Sequence, residues 1–265
     1  MYSRWQLVVK YLGYFFSSAS GKGHGIHSPF IFQFVSRVLQ DKKKYPEYER
    51  VELIKDQMLN DEKVLTIEDL GAGSFANNKK QRTVSSLARS AARSKKTGRL
   101  LFRIVRTYQP KTIVELGTSL GISTAYLSLA NPGSMINTIE GAKETAAIAR
   151  NNFEKLYLQN IKVIQGNFDD TLLPVISPLS EIDFAFIDGN HRREPTERYF
   201  LQLLQKINND SIFVFDDIHW SPEMEQAWET IKNNDRVRCT VDLFSMGIVF
   251  FRHEFREKQH FVIRF

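Results

Sequence analysis

Thr112 to Ala130 reads TIVELGTSLGISTAYLSLA, and the reading of the whole chain turns on this stretch. Ile113 and Val114 make an apolar run that ends on Glu115. The glycine turn Gly117-Thr118-Ser119-Leu120-Gly121 follows, and Ile122 to Ala130 has the composition of a helix. Strand, glycine turn and helix, in that order, present backbone N–H groups and a helix N-terminus to a bound ligand. The spacing is E-x-G-x-x-x-G, without the third glycine of a dinucleotide-binding G-x-G-x-x-G turn.

Outward from this stretch, strands and helices alternate from Pro110 to the C-terminus, the pattern of a mainly parallel sheet covered on both faces. Ile113–Leu116 is the first strand. Met135–Ile139 is the second and ends on Glu140. Ile161–Gln165 is the third, followed by Gly166-Asn167-Phe168-Asp169. Ile182–Ile187 is the fourth and ends on Asp188, and Ile212–Phe215 is the fifth and ends on Asp216-Asp217. A helix at Met224–Asn233 leads to Cys239–Phe244, and after Ser245-Met246-Gly247 the seventh strand is Ile248–Arg252. Those last two strands are near enough in sequence to be a hairpin, so the seventh is expected to run antiparallel.

Ligands of open α/β sheets bind at the carboxyl ends of the strands, and acids or polar groups stand at four of these ends. Glu140 lies 19 residues beyond Gly121. An acid there can accept both ribose hydroxyls of an adenosine, whether the molecule is NAD or a sulfonium nucleoside. IDFAFIDGNH and IFVFDDIHW each carry a buried apolar strand out into carboxylates, Asp188 on one and Asp216 with Asp217 on the other. Grouped buried carboxylates need donors or a cation, and hard oxygen ligands favour Mg²⁺ or Mn²⁺. The alternative is that they serve the fold, with Asp216 capping the helix after the fifth strand. His191 is placed to accept a proton near neutral pH, with Asn190 and His219 beside it; each histidine is equally readable as a hydrogen-bonded structural residue.

The E-x-G-x-x-x-G turn, Glu140 at its distance and the antiparallel final strand resemble the class I S-adenosylmethionine (SAM)-dependent methyltransferases. The carboxylate pattern resembles the divalent-metal-dependent O-methyltransferases within them, the catechol type and the macrolide and aminocoumarin sugar type. The resemblance covers residues 110–252. It implies a Rossmann-like seven-stranded sheet, mostly parallel with an antiparallel last strand. Glu115, Gly117, Thr118, Gly121, Glu140, Asn167, Phe168 and Asp188 would then contact SAM, with Asn167 and Phe168 at the adenine and Asp188 near the methionine amine. Asp188, Asp216 and Asp217 would hold Mg²⁺ or Mn²⁺, and His191 would stand where the catechol type has a lysine base.

Residues 1–108 read as a helical segment that shapes the substrate site, ahead of a methyltransferase domain at 109–265. Trp5, Leu7, Val8, Tyr11, Leu12, Phe15 and Phe16 recur at helical spacing, Ser28-Pro29 starts another helix, and Glu47–Leu59 is a further one. His24 and His27 lie in a glycine-rich loop. Asp69-Leu70-Gly71-Ala72-Gly73 imitates the first glycine motif, but no apolar helical face follows it, so 64–80 reads as loop and Thr83–Tyr108 as one or two helices.

The net charge of +6 is local: Lys79 to Arg106 holds ten Lys/Arg and no Asp/Glu, and the remainder is net acidic. Such a segment fits a solvated helix face, or else phosphates and an acidic membrane surface. A nucleic-acid methyltransferase is therefore the rival enzyme, a non-catalytic binding or membrane-surface module acting through Trp5–Phe16 is the rival non-enzyme, and an NAD oxidoreductase is disfavoured by the glycine spacing. One cysteine, Cys239, excludes an internal disulfide and fits a reducing compartment, and no apolar run spans a bilayer. A cytoplasmic enzyme with a small-molecule acceptor, free to act as a homodimer and with no clear nucleic-acid partner, is the expectation.

Overall fold

The computed structural model describes residues 1–19, 28–66, 81–91 and 95–265. His24, His27 and the motif at 69–73 lie outside the described residues. In chain order the elements are α1 (Arg4–Ser17), α2 (Pro29–Phe34), a π-helical turn (Val35–Leu39), α3 (Pro46–Leu59), β1 (Val64–Thr66), β2 (Gln81–Thr83), α4 (Val84–Ala91) and α5 (Lys95–Tyr108). The α/β portion continues with β3 (Thr112–Leu116), α6 (Ile122–Ala130), β4 (Met135–Glu140), α7 (Lys143–Lys155), β5 (Ile161–Gln165), α8 (Phe168–Ile176) and β6 (Ile182–Ile187). It ends with α9 (Arg193–Leu203), β7 (Ile207–Asp216), α10 (Pro222–Asn233), β8 (Cys239–Asp242), β9 (Met246–Phe250) and β10 (Gln259–Val262).

Two compact units are formed, Lys42–Val175 and the pair Met1–Asp41 with Ile176–Phe265, so the first 108 residues are shared between them. In the Lys42–Val175 unit the strand order is β3-β4-β5, all parallel, with Leu116 beside Ile139 and Glu140 beside Gln165. Helix α6 is made of small and apolar residues and is buried from Thr124 to Ala130. Glu52 on α3 receives Arg99 (2.6 Å) and Lys95 (2.9 Å) from α5, while the Arg99 guanidinium lies 4.8 Å over the Tyr48 ring. Lys95 and Arg99 of the basic segment are thus directed at α3, and Arg106 lies over the ring of Tyr45, the residue just before it.

The other unit has the order β10-β8-β9-β7-β6. Phe184, Ala185, Phe186 and Ile187 of β6 pair with Ile212 to Phe215 of β7, and all eight are buried, which explains an apolar run with no alternation. Strand β9 is antiparallel to both β7 and β8, as the hairpin reading requires. Among the described residues, eight strands besides β1 and β2, five here and three in the first unit, take the place of the seven expected. The additional one, β10, returns parallel to β8, so the antiparallel strand is the second-last in sequence. Residues 64–80 also begin with a strand: β1 pairs antiparallel with β2 across the undescribed residues. Among the described residues no helix is long and apolar enough to cross a membrane.

Candidate active site

In the Lys42–Val175 unit, the glycine turn is held by backbone that only glycine adopts cheaply. Gly117 has φ 104° and Gly121 φ 84°, and a Cβ on Gly121 would come within 2.6 Å of the Phe153 ring. The N–H groups of Gly117 and Thr118 donate to the Ile139 carbonyl at the end of β4, which lashes the turn to the neighbouring strand. Glu115 is completely buried, and its Oε2 accepts from the hydroxyls of Thr124 (2.5 Å) and Thr138 (2.7 Å). Thr118, buried as well, shares a 2.6 Å hydrogen bond with Thr138. These contacts join β3, α6 and β4 beneath the turn, so Glu115 and Thr118 shape the turn from below.

Glu140 is half-buried at the end of β4 and organises the rim. Its Oε2 accepts from the Ser119 N–H (2.7 Å) and its Oε1 from the Ala142 N–H (2.9 Å). The turn after β5 repeats this design. Gly166 donates to the Glu140 carbonyl, and Asn167 caps α8, its Oδ1 accepting from Asp169 N–H and its carbonyl from Thr171 N–H. Phe168 opens α8 half-buried. Glu140, Asn167 and Phe168 thus follow neighbouring parallel strands at their carboxyl ends.

In the other unit, Asp188 follows β6 half-buried, Asp216 ends β7, and Asp217 turns the chain away at φ 58°. Asp216 and Asp217 are both buried. His191 Nε2 stands 3.5 Å from Asp188 Oδ1 and 4.0 Å from Asp217 Oδ2, so one imidazole serves acids from two strands. Asn190 next to it has φ 52° and donates through Nδ2 to the Tyr199 hydroxyl (3.1 Å). Three carboxylates suit a hard divalent cation by donor chemistry. Among the described residues, however, no three His, Cys, Asp or Glu side chains are gathered closely enough to hold a metal ion.

The helix-cap alternative for Asp216 is not what is found. Ser221 caps α10, its Oγ accepting from Met224 N–H with Pro222 at the first helical position.

His219 is tied up instead of lining the acids. Its Nδ1 faces Glu225 Oε1 (2.9 Å), its Nε2 faces Asp242 Oδ2 (2.8 Å), and its ring stacks on Phe244. Ionised carboxylates only accept, so two of them facing the two ring nitrogens favour the imidazolium form. Burial alone would lower its pKa, but the hydrogen bonds and charges of Asp242 and Glu225 outweigh burial and raise it. Glu225 also accepts from Lys10 Nζ (2.9 Å) and the Tyr2 hydroxyl (2.6 Å). Sequence reading misses this cluster, because its members are scattered from residue 2 to residue 242 with no spacing that announces them.

Comparison with known proteins bears on these sites. Residues 114–218 match a methyltransferase domain family. The bovine catechol O-methyltransferase is 25% identical over 150 residues, 55% of this chain and 54% of that protein, so the chain matches about half the length of this curated relative. Among solved structures, the Bacillus cereus O-methyltransferase in complex with S-adenosylhomocysteine (SAH) is 21% identical, with TM-score 0.55 over 83% of this chain and 97% of that one. The O-methyltransferase TomG of Streptomyces achromogenes, in complex with SAM, is 16% identical, with TM-score 0.57 over 79% and 91%. The chain has the mainly parallel, Rossmann-like fold of these O-methyltransferase structures, and within it residues 114–218 match a methyltransferase domain.

Proposed function

From that match to a methyltransferase domain family, we propose that the chain transfers a methyl group from SAM to a hydroxyl of a small acceptor. The carrying observation is the glycine turn with Glu140 set on its rim, its carboxylate fixed by the Ser119 and Ala142 N–H groups where an acid can meet the ribose hydroxyls of an adenosine. Gly117, Thr118 and Gly121 give the turn its course, and Asn167 and Phe168 are the adenine contacts in this reading. The names of the relatives, catechol O-methyltransferase among them, support oxygen as the accepting atom.

His191 is the proposed base. It accepts the acceptor's hydroxyl proton, with Asp188 and Asp217 stabilising the charge the ring gains. Asp188, Asp216 and Asp217 would hold Mg²⁺ or Mn²⁺, and Asp188 is also the residue proposed for the methionine amine. A bound divalent cation lowers the pKa of a coordinated hydroxyl and suits vicinal oxygens. The donor types fit this role, although the side chains are not gathered for it among the described residues. The helices before residue 109 are the proposed source of acceptor specificity.

The test is a screen of catechols, sugars and RNA with labelled SAM, with and without EDTA. We expect label on a small diol, loss of turnover in EDTA, and return with Mg²⁺ or Mn²⁺. Asp217→Ala should abolish turnover while SAM binding persists. EDTA-insensitive turnover with an active Asp217→Ala variant contradicts the metal role, and label on RNA alone contradicts the small acceptor.

A further inference from the structure

Helix α1 is apolar on more than one side, yet only one side is covered. On the inner side Tyr14 is buried and its hydroxyl donates to the Ile263 carbonyl. The Tyr11 and Tyr14 rings lie 5.2 and 5.3 Å from Phe244, and Lys10 and Tyr2 are fastened to Glu225. The helix is therefore docked by specific contacts. On the outer side Trp5, Val9, Leu12 and Phe16 follow one another at intervals of four, three and four residues, which sets them in one stripe. They are 80%, 65%, 47% and 79% exposed, with half-exposed Val8 alongside and open space around Gly13. Among the described residues nothing covers this stripe.

Charge decides between occupants. The first acidic residue of the chain is Asp41, and Arg4, Lys10, Lys22 and Arg37 precede it. Arg4 flanks Trp5 and is exposed, and the Arg264 guanidinium sits 3.9 Å over the Phe15 ring at the other end of the helix. A second copy laid on the stripe would bring cations against cations, and a single helix of ~21 Å is short for an interface of ~1,000 Å². A bilayer carrying anionic lipid meets both features, since acyl chains take up aromatic and aliphatic side chains while the headgroups attract arginine.

We propose that α1 is an interfacial anchor that lays Trp5, Val9, Leu12 and Phe16 into an anionic lipid surface and holds the enzyme there without crossing it. The inference stands apart from the reaction chemistry, because none of these residues belongs to the proposed site. The experiment is sedimentation of the full chain with vesicles of equal parts phosphatidylglycerol and phosphatidylcholine, beside vesicles of phosphatidylcholine alone. We expect binding to the anionic vesicles that weakens with salt, and about a tenfold loss in Trp5→Ser/Val9→Ser/Phe16→Ser, the stripe being the part that enters the lipid. If that variant fails to fold, quenching of Trp5 fluorescence by brominated lipid, read against a Trp5→Phe blank, decides the same point. No binding by the wild type, equal binding by a folded variant, absence of quenching, or a lipid-free dimer that the substitutions abolish would each overturn the proposal.

Discussion

Gly121 combines a left-handed backbone with a neighbour that would strike any added Cβ, the ring of Phe153 at 2.6 Å. Either effect alone is costly for alanine, the backbone accounting for about 1–2 kcal/mol. Gly121→Ala is therefore expected to lower stability by about 2–3 kcal/mol and to weaken cofactor binding together with it. Urea unfolding beside calorimetric titration checks this, and a substitution that leaves the urea midpoint unchanged would contradict the strained turn. Glycines 117 and 121 were readable in the sequence because the chemistry of a turn is written in residue type. Glu115 was legible as part of the motif but not in its role, since its burial beneath the turn and its bonds to Thr124 and Thr138 depend on residues from two other elements. His219 shows the same limit: its position beside Asp217 suggested the acids, while the fold gives it to Glu225 and Asp242.

Helix α5 meets α3 through Glu52, which Lys95 and Arg99 both address. Burial alone would raise the Glu52 pKa, but its hydrogen bonds to the two cations prevail and hold it below the ordinary value of 4.5. A carboxylate depressed in the folded state contributes stability above its unfolded pKa and loses it as pH falls through the folded value. Glu52→Gln should thus cost about 1 kcal/mol at pH 7, modest because both partners are partly in water, and the gap to wild type should close as pH drops below 4.5. Thermal unfolding across that range measures it, and a gap that widens in acid would contradict the assignment. The same pairing revises what the sequence says of the basic segment, where Lys95 reads as a solvated charge. Elements with long apolar runs were legible: Ile182–Ile187 is found where its composition puts it. β10 was not, for QHFV is short and sets two polar residues ahead of two apolar ones, and β7 begins at Ile207 through the polar residues NNDS. QHFV becomes a strand by pairing with β8, which is a property of the sheet and not of the segment.

At the scale of the molecule, alternation of strand and helix from residue 110 onward was enough to give the α/β class, and the hairpin of β8 and β9 separated it from a plain dinucleotide fold. The sharing of residues 1–108 between two units was beyond the sequence, because it depends on which distant partners the early helices find. The central claim is that the turn at Gly117–Gly121 and Glu140 form the adenosine end of a SAM site. Calorimetric titration with S-adenosylhomocysteine tests it most directly, through the wild type and Glu140→Ala, with the thermal midpoint of each recorded as a control. Micromolar binding by the wild type, roughly −8 kcal/mol, is expected, with a loss of about 2 kcal/mol, or about thirtyfold, in a folded Glu140→Ala. Absence of binding by the wild type, or tight binding of NAD in its place, would contradict it.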